Sequence, residues 1–177
     1  MIKILFICHG NICRSPMAEF ILKDMVEKLN INDNFIIESR ATSSEEIYNG
    51  IGNKIYPPAR KELINLGIGK TDYTNFDNKR AEILTKNDYD DFDYLICADT
   101  YNISNTLRIV GSDKDNKIKL LLDYAGYHNK SISDPWYTGD FKETSKDIII
   151  GLNGFLKYLK ERKLIWLVYG ENSYSPF

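Results

Sequence analysis

Long apolar runs are missing from this chain of 177 residues. The stretch Ile4-Leu5-Phe6-Ile7 near the start falls far below the roughly 18 residues of a membrane span and is too short for a secretory leader. The expected address is therefore cytoplasmic, with no membrane partner. Cysteine and histidine are scarce, at three and two residues. Cys8, Cys13 and Cys97 are an odd number at no zinc-ligand spacing, which argues against a disulfide scaffold and a metal site. Excess positive charge is absent as well. With 23 basic and 25 acidic residues the formal charge is −2, so no overall field draws the chain to nucleic acid. Any anion has to be held locally. There is no internal repeat and no tract rich in proline, glycine or serine that would read as a linker.

What is present reads as one soluble domain. The hydrophobic share of 43% and charged share of 27% are ordinary for a globular fold, and this length buries about two-thirds of the unfolded surface around one core. Ile2 to Cys8 reads as a strand covered on both faces. A loop, Cys8-His9-Gly10-Asn11-Ile12-Cys13-Arg14, follows, and Ser15-Pro16 reads as the start of a helix, with Ser15 at the N-cap and Pro16 at the first helical position. Ala18, Ile21, Met25 and Leu29 give that helix one apolar face. Phe35 to Ser39 completes a βαβ unit. Downstream, the pattern predicts a helix over Pro57 to Leu66 stopped by Gly67, a central strand over Phe92 to Ala98, a short strand over Lys117 to Leu121, and a long helix over Phe141 to Arg162. The fold class is α/β: a doubly wound sheet of four parallel strands with helices on both faces, and ligands beyond the carboxyl ends of the strands. Residues 1–162 form the expected domain and 163–177 an extension of no assigned role, in which Leu164 to Val168 are placed to cover a sheet edge or another chain.

Cys8 ends the first strand, and Arg14 follows in the loop that enters the helix. Successive loop amides and the positive end of the helix dipole make a cradle of phosphate size, and the planar fork of Arg14 matches two phosphoryl oxygens. A cysteine beside an arginine at a helix start ionises far more readily than a free one, so Cys8 is expected to attack phosphorus and form a phosphocysteine intermediate. Gly10 permits close backbone approach and Asn11 tolerates a left-handed conformation. The Ser15 hydroxyl is placed to donate to the sulfur. Without that context, C-x5-R is a chance match and Cys8 a small core residue. The leaving group needs a proton, and Asp134 in Ser133-Asp134-Pro135-Trp136-Tyr137 is the candidate, with Trp136 and Tyr137 as walls for a flat substrate. From these residues alone a plain Asp-Pro turn is an equal reading.

Four segments together resemble the low-molecular-weight protein tyrosine phosphatases over about residues 1 to 160: Ile4 to Glu19, Glu38 to Ser43, Tyr94 to Asp99 with Asn102 following, and Asp134 to Tyr137. The resemblance implies Cys8 as nucleophile, Arg14 as transition-state clamp, and Asp134 as acid in the first step and base in the second. It also implies a brace of Asn11, Ser15 and Ser39 under the loop, and substrate contacts along His9, Gly10, Asn11, Ile12, Cys13, Ser15, Trp136 and Tyr137. Phosphotyrosine proteins or small aryl phosphates are the implied substrates. Phosphate, sulfate or vanadate would bind in the loop, and no metal or cofactor is implied. Cys13 is the implied redox partner of Cys8. The chain departs from the pattern at His9, where many members have leucine, and at Glu45 and Glu46, where several have tryptophan. Protein-arginine phosphatases of the same fold tend to have threonine at the position of Ile12, whose apolar bulk favours an aromatic phosphoester. A thiol-coupled arsenate reductase needs further cysteines, and Cys97 reads as a buried, inert thiol. The remaining alternative is a module that holds phosphate without cleaving it.

Overall fold

The computed structural model describes residues 1–166. Strand β1 (Ile2–Cys8) is apolar because both its faces are covered, and Ile4 to Cys8 are all buried. After the loop, α1 (Arg14–Lys28) crosses over and β2 (Phe35–Ala41) returns parallel to β1, with Cys8 opposite Ala41. The expected βαβ unit is present, and β2 runs two residues past Ser39.

Between β2 and the next strand of the main sheet, the regular alternation of helix and strand expected from the sequence does not hold. That stretch contains a small hairpin, β3 (Ile47–Tyr48) and β4 (Ile51–Gly52). Its turn is Asn49-Gly50, both at positive φ (50° and 76°), the pair that matches the right-handed twist of a two-residue hairpin. Helix α2 (Pro57–Asn65) and the single turn α3 (Asp88–Asp91) follow, joined by irregular chain. Then β5 (Tyr94–Cys97), α4 (Thr100–Val110) and β6 (Ile118–Leu120) complete a four-stranded parallel sheet in the order β2-β1-β5-β6. The short helix α5 (Pro135–Thr138) and the long α6 (Phe141–Glu161) close the described chain.

Strand pleating sorts the core onto two faces. Ile4, Phe6 and Cys8 pack with Met17 and Ile21 of α1 and with Ile148 and Phe155 of α6. Leu5 and Ile7 pack on the other face with Leu95, Cys97 and Val110. Cys8 and Cys97 therefore point to opposite sides of the sheet. Helix α1 departs from the expected single apolar stripe: from Arg14 to Leu22 every residue is buried, because the helix is wedged between the sheet, α2 and α6. Of the segment Leu164 to Val168, Ile165 is buried in the α1–α6 cluster while Leu164 and Trp166 are exposed. Leu167 and Val168 lie outside the described residues. Among the described residues no helix is long and apolar enough to cross a membrane.

Helix α6 sits so close to the turn Leu121–Ala125 that a Cβ at Gly154 would lie 2.5 Å from the Tyr124 carbonyl oxygen and 2.7 Å from the Ala125 nitrogen. Backbone cannot yield as a flexible side chain would. Gly154→Ala is expected to destabilise by about 1–3 kcal/mol in urea denaturation, and replacing the exposed Ile150 of the same helix with alanine by under about 0.5 kcal/mol. Equal midpoints for the two variants would contradict this packing.

Candidate active site

Cys8 ends β1 at the carboxyl edge of the sheet, where the chain must turn sharply to enter α1. Asn11 makes that turn at a φ of 56°, a left-handed conformation that asparagine tolerates better than most residues. The turn aims the Asn11 amide nitrogen at Cys8 Sγ, 3.3 Å away, and the Ser15 hydroxyl lies 3.0 Å from the same sulfur. Ser15 is not the N-cap. The helix starts at Arg14, with Cys13 at the cap and no side chain capping it, which places Pro16 at the third helical position. The hydroxyl is committed elsewhere, since it accepts from Asn11 Nδ2 at 2.8 Å. The first amide to bond back along the helix is that of Met17, to Cys13 O. First-turn amides before it have no intrahelical acceptor, and this is the anion-attracting end of the helix.

The side chain of Asn11 also donates to Ser39 Oγ at 2.8 Å, and its oxygen accepts from the Glu82 amide at 3.0 Å. Asn11, Ser15 and Ser39 thus meet directly under the sulfur. Arg14 is buried, at 5% exposure. Its Nη1 donates to Asp99 Oδ2 and its Nη2 meets Asp134 Oδ2, both at 2.7 Å. Burial opposes the charge, but Cys8, Asp134 and Asp99 outweigh it and push the arginine pKa above its ordinary value. Asp134 and Arg14 are distant in sequence and adjacent in space. The Asp-Pro turn itself carries the carboxylate that meets Arg14: Asp134 Oδ1 caps α5 by accepting from the Trp136 amide, which leaves Oδ2 to face Arg14.

At the rim, His9 is exposed and its Nε2 lies 2.9 Å from Glu45 Oε2. A Cβ at Gly10 would come to 3.0 Å from Glu46 Cγ, so the Glu46 side chain packs closely over the loop there. Glu46 is held in turn by Asn53 at 2.7 Å. Ile12 is half-buried, and its carbonyl accepts from the Tyr56 amide at 2.9 Å. The Tyr56 ring leans on Trp136 with centroids 5.9 Å apart. Trp136 and Tyr137 are 65% and 86% exposed, and it is Tyr56 that packs on Trp136. Among the described residues no group of three His, Cys, Asp or Glu side chains is placed to hold a metal ion.

A family model described as low molecular weight phosphotyrosine protein phosphatase matches residues 3–164. The chain belongs to this family. It is 34% identical over 164 residues to the low molecular weight protein-tyrosine-phosphatase YfkJ of Bacillus subtilis, covering 92% of this chain and 99% of that protein. The crystal structure of YfkJ superposes with a TM-score of 0.78, covering 92% of this chain and 97% of that one. The low molecular weight protein tyrosine phosphatase SP-PTP of Streptococcus pyogenes, at 37% identity, superposes with a TM-score of 0.75 over 93% and 98%. An arginine phosphatase of Drosophila, 30% identical, does so at 0.76 over 90% and 98%.

Two residues of this phosphatase fold escaped the reading of the sequence as site residues. Asp99 caps α4 through Oδ1, which accepts from the Asn102 amide, and holds Arg14 with its other oxygen. Its position just past the carboxyl end of β5, where parallel sheets place their sites, was the available signal. Glu19 is a buried carboxylate that accepts from Ser39 Oγ at 2.6 Å. Its signal was a charge one residue from an expected core position.

All three cysteines are free. Burial first, then the neighbouring Cys8, pushes the Cys13 thiol up to about 12, and burial pushes Cys97 up to about 12 as well. Both remain protonated until the pH is well above that of a free thiol. In a Cys8→Ser protein at about pH 8.5, where a free cysteine is half-ionised, iodoacetamide is expected to spare both until denaturant is added. Alkylation of Cys13 in the folded protein at the rate of a free thiol would contradict the environment described. Because the folded pKa values are raised, these thiols contribute stability that is present below pH 9.0 and is lost as the pH rises towards about 12.

Proposed function

We propose that this protein is a protein tyrosine phosphatase that hydrolyses phosphotyrosine monoesters through a phosphocysteine intermediate, with Cys8 as nucleophile, Arg14 as clamp and Asp134 as acid and then base. One observation carries this reading: Asp134, from a loop distant in sequence, lies 2.7 Å from the arginine that closes the loop around the Cys8 sulfur. Nucleophile, cation and acid are thereby within one substrate's reach. Asp99 holds Nη1 of Arg14, which turns the edge formed by Nε and Nη2 towards two phosphoryl oxygens. A phosphoryl group in the cradle competes with Asp134 for Nη2 and turns that carboxyl towards the leaving oxygen.

The steps balance without a cofactor. Cys8 sulfur forms a bond to phosphorus as the bond to the tyrosine oxygen breaks, and that oxygen takes the proton of Asp134. The aspartate then takes a proton from water, whose oxygen attacks phosphorus and expels the sulfur, with the Ser15 hydroxyl assisting its departure. Ile12, Tyr56 and Trp136 supply the apolar side of the bowl, which supports an aromatic ester over phosphoarginine. Cys97 faces the opposite side of the sheet from Cys8, which argues against an arsenate reductase relay. The reading extends to a cytoplasmic enzyme acting on phosphotyrosine proteins.

Metal-free turnover of p-nitrophenyl phosphate at about pH 6 that is lost in Cys8→Ser is the expected result. Binding of phosphate without turnover would select the non-catalytic module instead. Asp134→Ala is expected to slow phosphotyrosine by a factor of about 10²–10⁴ and p-nitrophenyl phosphate, whose leaving group needs no proton, far less. Equal losses would remove Asp134 from the acid role. Phosphotyrosine peptides are expected to be cleaved well ahead of phosphoarginine peptides, and the reverse order would reassign the substrate.

A further inference from the structure

Beneath the loop the protein buries a carboxylate that the proposed reaction does not use. Glu19 is 3% exposed. Its oxygens meet Lys23 Nζ at 2.7 Å, Lys79 Nζ at 3.2 Å and the hydroxyl of Ser39 at 2.6 Å. An ion pair this deep is weak evidence for stability, because apolar replacements of such pairs are often as stable or more so. What it does accomplish is to claim a proton.

The direction of the hydrogen bonds follows from which groups can donate. A carboxylate only accepts, so the single Ser39 proton goes to Glu19. Ser39 Oγ can then only accept from Asn11, and it does so from Nδ2. On its other side, Asn11 Oδ1 faces the Glu82 amide, which can only donate. With the amide fixed this way round, Nδ2 also donates to Ser15 Oγ, and the Ser15 proton is left for Cys8 Sγ at 3.0 Å. The reversed amide would accept from both serines through Oδ1, and the Ser15 proton would leave the sulfur. Two constraints oppose that reversal, the Glu82 amide and Glu19.

We propose that Glu19, anchored by Lys79, is a positioning residue for the reaction: by taking the Ser39 proton it holds the Asn11 amide in the orientation that commits the Ser15 hydroxyl to the Cys8 sulfur. This rests on the reading of Cys8 as the nucleophile. Lys79 joins the chain at a second point, donating to the Ser39 carbonyl at 3.2 Å, and thereby ties the segment that carries Glu82 to the same strand.

The test is a double-mutant cycle read on p-nitrophenyl phosphate. Glu19→Met and Lys79→Met together remove the carboxylate without leaving an orphaned ammonium at position 79, and are made in the wild-type and Ser15→Ala backgrounds. In wild type, kcat is expected to fall about five- to tenfold, the scale of one lost hydrogen bond, while KM and the inhibition constant of inorganic phosphate move by less than about twofold. In Ser15→Ala the same pair is expected to cost less than about twofold, since the proton it controls is gone. Equal losses in both backgrounds, or no loss in wild type, would overturn the proposal. If the Met pair shows no cooperative thermal transition, Ser39→Ala replaces it in the cycle. It deletes only the relaying hydroxyl, and additivity with Ser15→Ala would then overturn the proposal. Full turnover in Cys8→Ser would instead bring down the phosphatase reading and this inference with it.

Discussion

A buried guanidinium has to be balanced by charge, and the balance struck around Arg14 organises the site. Asp99 at the end of β5 and Asp134 at the start of α5 each reach it at 2.7 Å, so three segments far apart in the chain are tied to one cation. The two aspartates differ in how deeply they lie. Asp99 is fixed at 16% side-chain exposure by the cap of α4, whereas Asp134 is more open at 28%. The inner carboxylate suits a permanent orienter of the fork, and the outer one suits a group that changes partners as a phosphoryl group enters. Helix caps set both positions, which explains how short side chains on separate loops converge to hydrogen-bond distance.

The rest of the fold serves that convergence. Parallel strands place their carboxyl ends on one edge of the sheet, and β1 delivers its last side chain, Cys8, to the face covered by α1. Helix α1 then begins at Arg14 with Cys13 at its cap and no capping side chain, and the Ser15 hydroxyl in its first turn is turned to the sulfur. The loop keeps its shape through side chains below it more than through its own backbone. Asn11 bonds to Ser15, Ser39 and Glu82 at once, linking α1, β2 and the irregular stretch that precedes α3.

Much of this was legible in the sequence. The apolar run into Cys8, the Gly-Asn turn and Arg14 located the cradle, and strand and helix periodicities located the sheet. Less legible were features set by tertiary contacts. Ser15 reads as a cap because Ser-Pro commonly starts helices; the groups its hydroxyl meets instead, the Asn11 amide donor and the Cys8 sulfur, come together only once the loop closes. Helix α1 reads with one apolar face because Ala18, Ile21, Met25 and Leu29 recur at helical spacing, whereas Glu19 and Asp24 of the same helix are buried as well. The hairpin at Asn49-Gly50 did carry a strong local signal, and the two-residue strands around it were too short to register as a period. Asp99 and Glu19 end two of the segments that carry the family resemblance, but nothing local gave them a role, since their partners lie 85 and 20 residues away.

The central claim is that one cradle, formed by the loop from Cys8 to Arg14, receives the phosphoryl group directly above the sulfur. A crystal structure with vanadate tests it most directly. The account predicts vanadium bonded to Cys8 Sγ, two oxygens on the Arg14 fork, Asp99 still on Nη1, and the Asp134 carboxyl turned towards the apical oxygen opposite the sulfur. Vanadate bound elsewhere, or above the loop with Asp134 still paired to Arg14 and no contact to the sulfur, would contradict it.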